Sequence, residues 1–128
     1  LGEKVLCVDD DQEILMFMKR WLDSEGYEVD VASSGEEALQ RAASGEYRLI
    51  LLDIAMPGLD GWATCNRIKS DPALAGVRVC MVTAKPLDPS RDRNREGGPD
   101  GVLLKPFRPE DLIDLVRGLE NLQTPRPA

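Results

Sequence analysis

No histidine occurs in the 128 residues of this chain. That excludes a Cys/His zinc site. Cysteine is scarce and odd in number, at three, and none of the three has metal-ligand spacing. Cys7 and Cys80 fall inside apolar, strand-like runs and Cys65 inside a helical pattern. All three read as small buried hydrophobes in a reducing compartment. Basic residues are outnumbered: 16 Lys and Arg face 23 Asp and Glu, for a net charge of −7. That balance disfavours direct nucleic-acid binding, where a basic stripe is expected, and suits a cation site built from carboxylates. No apolar run approaches a membrane span, and the opening LGEKVL lacks the form of a signal peptide. There is no internal repeat.

The length suits one domain, with enough chain to bury a core without disulfide or metal staples. The first residue is Leu rather than Met, which leaves open an excised piece or one domain of a longer protein. Residues 1–122 read as the domain, and 123–128, with the tail TPRPA, as a frayed end or the start of a linker.

Strand and helix signals alternate along the chain. KVLCVDD is an apolar run ending in acid, a first strand. DQEILMFMKRWLDSEG places Ile14, Leu15, Phe17, Met18, Trp21 and Leu22 at helical spacing, with Gly26 as the stop. YEVDVAS reads as a short second strand. SGEEALQRAASG opens with Ser34 three residues before Glu37, a capping box, and closes at Gly45. RLILLD is a central strand buried on both faces. After the turn-rich IAMPGLDG, Trp62, Cys65 and Ile68 mark a third helix that ends before Pro72. VRVCMVT and GVLLK are a fourth and a fifth strand. PEDLIDLVRGLENL closes the chain as a helix, with Pro109 at its first position, acids in its first turn, and Leu112, Ile113, Leu115, Val116 and Leu119 on its face. This order predicts an α/β fold with a parallel sheet covered by helices on both faces and joined by right-handed crossovers. In such sheets a functional site lies at the carboxyl ends of the strands, near the point where strand order reverses.

The residues that end the strands are therefore the informative ones. The first strand ends in Asp9, Asp10 and Asp11, the third in Asp53, the fourth in Thr83 and the fifth in Lys105. Carboxylates from two strands should converge at one rim, facing a hydroxyl and an ammonium. Clustered carboxylates repel, and one takes up a proton unless a cation is present. Hard oxygen ligands in an open site suit Mg²⁺, which leaves positions for a phosphoryl group. A Lys and a Thr suit phosphoryl oxygens, and a carboxylate can serve as nucleophile, forming an acyl phosphate. Each residue also has a plainer reading. An isolated DDD is most often a solvated turn or helix cap, and a Thr in VTA is usually just a β-former. Asp53 is harder to dismiss, because it ends a buried strand. The case rests on all four positions sharing one rim.

The pieces VLCVDDD, LILLDIAMPGLDG, MVTA and LLKPF, in this order, resemble the receiver domain of two-component response regulators. Asp53 and Thr83 are 30 residues apart, and Thr83 and Lys105 are 22 apart, in agreement with that family. The resemblance implies a doubly wound, CheY-like (flavodoxin-like) five-stranded parallel sheet of order 2-1-3-4-5. It implies Asp53 as phosphoacceptor, attacking a phosphohistidine on a sensor histidine kinase or phosphotransfer protein. It implies Mg²⁺ held by the side chains of Asp10 and Asp53, by Asp9 mostly through water, and by the backbone carbonyl of Ala55. Thr83 and Lys105 would bind the phosphoryl oxygens. Met56, Pro57, Asp60 and Gly61 would shape the loop, with Gly61 allowing a backbone conformation other residues resist. The Lys105–Pro106 bond is expected to be cis. Lys85-Pro86 offers a competing lysine, but only Lys105 follows a buried strand. The implied protein is a cytoplasmic signalling domain rather than an enzyme, one that assists its own phosphotransfer and autodephosphorylation. It has no membrane contact, a phosphorylation-dependent dimer among its possible states, and an effector that the sequence does not name. With no histidine of its own, it must take its phosphoryl group from another protein, another domain or a small phosphodonor.

Two stretches depart from the family pattern. Val102 stands three residues before Lys105, where an aromatic is common, so the ring half of the usual Thr–aromatic switch is missing. KPLDPSRDRNREGGPDG, residues 85–101, stands where a fourth helix belongs. Asp88, Pro89 and Gly97 could cap such a helix, yet PSRDRNRE has no apolar face. Arg91 and Arg95 repel at spacing four, as do Asp92 and Glu96. A short, polar or mobile fourth helix over Ser90–Glu96 is the expectation. These departures support an alternative reading, a pseudo-receiver that works as an interaction module without phosphorylation. An aspartyl-phosphate phosphohydrolase would want an acid two residues after its nucleophile, where this chain has Ala55.

Overall fold

The computed structural model describes residues 3–84 and 98–122. Their order is β1 (Lys4–Val8), α1 (Gln12–Ser24), β2 (Glu28–Ala32), α2 (Gly35–Ser44), β3 (Leu49–Asp53), α3 (Gly61–Ser70), a single 3₁₀ turn (Pro72–Leu74), β4 (Arg78–Thr83), β5 (Gly101–Leu104) and a closing helix, α4 (Pro109–Leu122). The expected helix over Ser90–Glu96, its caps at Asp88, Pro89 and Gly97, and the competing Lys85 lie outside the described residues. The 3₁₀ turn was not foreseen. Asp71 caps it through a bond from the Ala73 N–H, and Pro72 supplies its first position.

The five strands form one sheet of order β2-β1-β3-β4-β5, and every pairing is parallel. This meets both the parallel pairing expected from the alternation of strands and helices and the order implied by the resemblance. All of Leu49–Asp53 is buried, and so are the last five residues of β4, because helices cover both faces of the sheet. Alternate strand residues feed two cores. Val5, Cys7, Leu49, Leu51, Cys80 and Val82 meet the inner faces of α1 and α4. Leu6, Val8, Ile50, Leu52, Val79 and Met81 meet α2 and α3.

The helix faces follow the predicted spacing with some corrections. In α1, Leu15, Met18 and Leu22 are buried. Ile14 and Trp21 pack at the margin of the core. Phe17 shares the helical spacing but is 41 % exposed, stacked on Trp21 with ring centroids 5.7 Å apart. The helix carries more apolar residues than one face can bury. In α2, the Ser34 hydroxyl accepts the Glu37 N–H, as a capping box requires. The reciprocal bond differs: Glu37 accepts from the Ser33 N–H and hydroxyl, one residue before the cap. In α4, Leu112, Val116 and Leu119 are buried, and Leu115 is partly so. Cys7, Cys65 and Cys80 are buried thiols, none of them in a disulfide. Burial pushes their thiols up to about 12, 11 and 12, which keeps them unreactive. Among the described residues, no helix is long and apolar enough to cross a membrane.

Candidate functional site

The parallel register brings the strand ends to one rim. Val8 lies beside Leu52, Asp53 beside Val82, and Thr83 beside Leu104. Asp9, Asp53, Thr83 and Lys105 therefore emerge along the same edge. The reversal of strand order falls between β1 and β3, the two strands that carry the acids.

The run Asp9-Asp10-Asp11 divides into three roles. Asp11 is the cap of α1, accepting from the N–H groups of Glu13 and Ile14. Asp10 is exposed. Asp9 is 2 % exposed, with one carboxylate oxygen held by the Asp11 N–H at 2.9 Å and the other by the Lys105 ammonium at 2.9 Å. The plainer reading of the run, a helix cap, is thus right for one acid of the three.

Asp53 is 6 % exposed and faces Lys105 Nζ at 3.4 Å. Burial pushes its carboxyl above the ordinary range. The Asp9 charge adds to that push, Lys105 opposes it, and Asp10 adds a little more. Burial pulls the other way on Lys105, but the bond to Asp9 and the charges of Asp9 and Asp53 outweigh it, and its ammonium is held more firmly than usual. Carboxylate oxygens of Asp9, Asp10 and Asp53 lie within 4.8 Å of one another. The donor set is therefore all carboxylate, crowded, and, among the described residues, only partly neutralised by Lys105. That chemistry fits a small hard divalent cation such as Mg²⁺.

Thr83 is 8 % exposed, and its carbonyl accepts the Lys105 N–H at 2.7 Å. Ala55 is exposed on the loop that follows Asp53. That loop is knotted at its base, where the Ile54 carbonyl accepts from both Met56 and Gly61. The Lys105–Pro106 bond is cis, as expected. Gly61 does not supply the unusual backbone conformation expected of it. Its backbone is not left-handed, and the positive φ in this loop, +74°, belongs to Gly58. At Gly61 the constraint is space: a Cβ would lie 2.5 Å from the Asp53 carbonyl oxygen and 2.6 Å from the Ile54 Cα.

Beside the acids, Ile14, Phe17, Trp21, Ala84, Pro106 and Phe107 line an apolar groove of about 420 Å³ that reaches Lys105. At the usual aromatic position, Val102 is 37 % exposed, as is its neighbour on that strand face, Leu104, at 46 %.

Two residues were missed from the sequence. Asp100, at the end of the polar stretch, is clamped by Lys69, by Arg78 and by the Val79 N–H. Glu36 accepts from the Leu59 N–H in the loop after Asp53. Neither has a local signal, because their partners are 31, 22 and 21 positions away in the first case and 23 in the second.

A family model described as the response regulator receiver domain matches residues 5–117. The transcriptional regulatory protein ResD of Bacillus subtilis is 36% identical over 116 residues, which cover 91% of this chain and 47% of that protein. The chain thus spans about half the length of the curated relatives it matches. A CheY-like receiver domain protein from Methanospirillum hungatei superimposes with a TM-score of 0.87 at 28% identity, covering 96% of this chain and 97% of that one. Response regulator TrrA of Thermotoga maritima, solved in complex with Mg²⁺-BeF, gives a TM-score of 0.79 at 33% identity, covering 91% and 98%.

Proposed function

The chain belongs to the response regulator receiver domain family, and we propose that it accepts a phosphoryl group on Asp53 from the phosphohistidine of a partner kinase or phosphotransfer protein. The observation that carries this reading is the Asp53 carboxylate, buried at a strand end between Asp9 and Lys105. One Asp53 oxygen forms the new O–P bond as the donor's P–N bond breaks, and the nitrogen keeps the electron pair of that bond. Lys105 and the Thr83 hydroxyl then bind the phosphoryl oxygens, which takes Lys105 away from its resting partners. Asp9, Asp10, Asp53 and the Ala55 carbonyl would hold Mg²⁺. When bound, the ion neutralises charge that builds up on the phosphoryl oxygens during transfer. Asp9 has both oxygens occupied within the protein, which favours its reaching the ion through water.

The domain is a signalling module. In this reading it spans residues 1–122, with 123–128 leading out of it, and works in the cytoplasm. It loses the phosphoryl group by its own slow hydrolysis and passes the signal to an effector. The apolar groove beside Lys105 gives the phosphodonor protein a surface to dock on.

The test uses Mg²⁺ with acetyl phosphate, read by mass, and beryllofluoride, read by binding. Wild type should gain one phosphoryl group and bind the mimic, and Asp53→Asn should do neither. No response from a folded wild-type protein would favour a pseudo-receiver.

A further inference from the structure

The loop between β3 and α3 has a tie at each end. At its base the Ile54 carbonyl gathers the N–H groups of Met56 and Gly61. At its tip the Leu59 N–H donates to the Glu36 carboxylate at 3.4 Å, from the first turn of α2. The approach of α2 to this tip is close. A Cβ on Gly35 would lie 2.6 Å from the Leu59 carbonyl oxygen and 2.3 Å from the Thr64 hydroxyl oxygen. That hydroxyl, fully buried, donates to the Asp60 carbonyl at 2.8 Å. A Cβ on Gly58 would come within 3.3 Å of the same Glu36 carboxylate. Gly35, Glu36 and Thr64 thus converge on Leu59 and its two neighbours. Ala55 lies within the base tie, between Ile54 and Met56, four residues before Leu59.

We propose that Glu36 is a positioning residue: by holding Leu59 it fixes the loop in the shape that presents the Ala55 carbonyl to a divalent cation. This rests on the Mg²⁺-dependent reading of the site, and it makes the N-terminus of α2 part of the metal site's support. The carboxylate also has a plainer role, as an acid in the first turn of a helix whose N-terminus is partly positive. Glutamine separates the two, because it keeps an acceptor oxygen and loses the charge.

The experiment compares wild type, Glu36→Ala and Glu36→Gln. Hydrogen exchange of the Leu59 amide is followed in metal-free protein, and Mg²⁺ affinity is followed by titration without phosphodonor. Glu36→Ala should speed Leu59 exchange and weaken Mg²⁺ binding about fivefold, the scale of one partly exposed hydrogen bond. Glu36→Gln should stay within about twofold of wild type on both measures. Equal Leu59 exchange in all three proteins would overturn the proposal. So would a loss in Glu36→Gln as large as in Glu36→Ala, which would assign the effect to charge. A wild type that binds no Mg²⁺ would instead sink the reading beneath it, and the Leu59 exchange would still decide whether Glu36 holds the loop.

Discussion

Lys105 donates a 2.9 Å hydrogen bond to Asp9, a partner 96 positions earlier in the chain. The same ammonium faces Asp53 at 3.4 Å. The protein therefore carries its own counter-ion in the acidic site, and phosphorylation would have to compete for it.

Replacing that counter-ion exposes the repulsion it hides. Lys105→Met should destabilise the metal-free protein by about 2 kcal/mol. That is below the ~3–5 kcal/mol typical of a fully buried pair, because Lys105 is part-exposed. Mg²⁺ should restore more stability to this variant than it adds to wild type. Thermal melts with and without Mg²⁺ read both effects, and equal Mg²⁺ gains would refute the counter-ion role.

Asp53 predicts a pH dependence of defined sign. Its carboxyl titrates above its ordinary value of 3.8 because of burial and the Asp9 charge. The folded state thus holds this proton more tightly than the unfolded state. Ionisation of Asp53 costs stability above its raised pKa and nothing below the ordinary one. In EDTA, Asp53→Asn should melt higher than wild type near neutral pH, with the gap closing as pH falls towards 4. A gap that is absent at neutral pH, or that widens in acid, would contradict the assignment.

Gly61 and Gly76 make a matched pair. A Cβ at Gly61 would strike backbone atoms of Asp53 and Ile54, which cannot swing aside, whereas Gly76 has open space. Gly61→Ala should cost about 1–3 kcal/mol by overpacking and weaken Mg²⁺ binding as Asp53 shifts. Gly76→Ala should stay within about 0.5 kcal/mol of wild type. Denaturant melts and Mg²⁺ titration of both variants give the comparison.

Asp100 sits at the opposite end of the sheet from Asp53, at the entry to β5. Asp100→Ala removes at once the acceptor shared by Lys69, Arg78 and the Val79 N–H. A loss of about 1–3 kcal/mol is expected. The rate of phosphorylation by acetyl phosphate should not change in conditions where the variant is folded. A slowed rate with intact fold would show that this clamp reaches the site.

The parallel sheet and the rim were legible because burial leaves a strong local trace, whereas the strand order came from the family resemblance. RLILLD cannot be a surface strand, and an acid at its end must point somewhere useful. The ends of four strands together pointed to Asp9, Asp10, Asp11, Asp53, Thr83 and Lys105, and the family resemblance supplied their roles. The exposure of Phe17 was not legible, because helical spacing marks an apolar stripe without saying how wide the partner surface is. Glu36 and Asp100 were invisible for a different reason. Each bonds across tens of residues, and a Glu in a first turn or an Asp before Gly already has a sufficient local excuse. Gly61 was noticed, but a glycine letter does not distinguish backbone freedom from lack of room.

The three consecutive aspartates at the end of β1 are one letter repeated and three unlike jobs: one buried under Lys105, one exposed beside the site, one capping α1. Removing any one of them yields the same protein, so the chain has no harmless deletion there. Either the cap is lost, or α1 turns by about 100° relative to its core, or the carboxylate slips out from under the ammonium. The run stores a length as much as a composition, and at this point the distance between strand and helix is itself a functional residue.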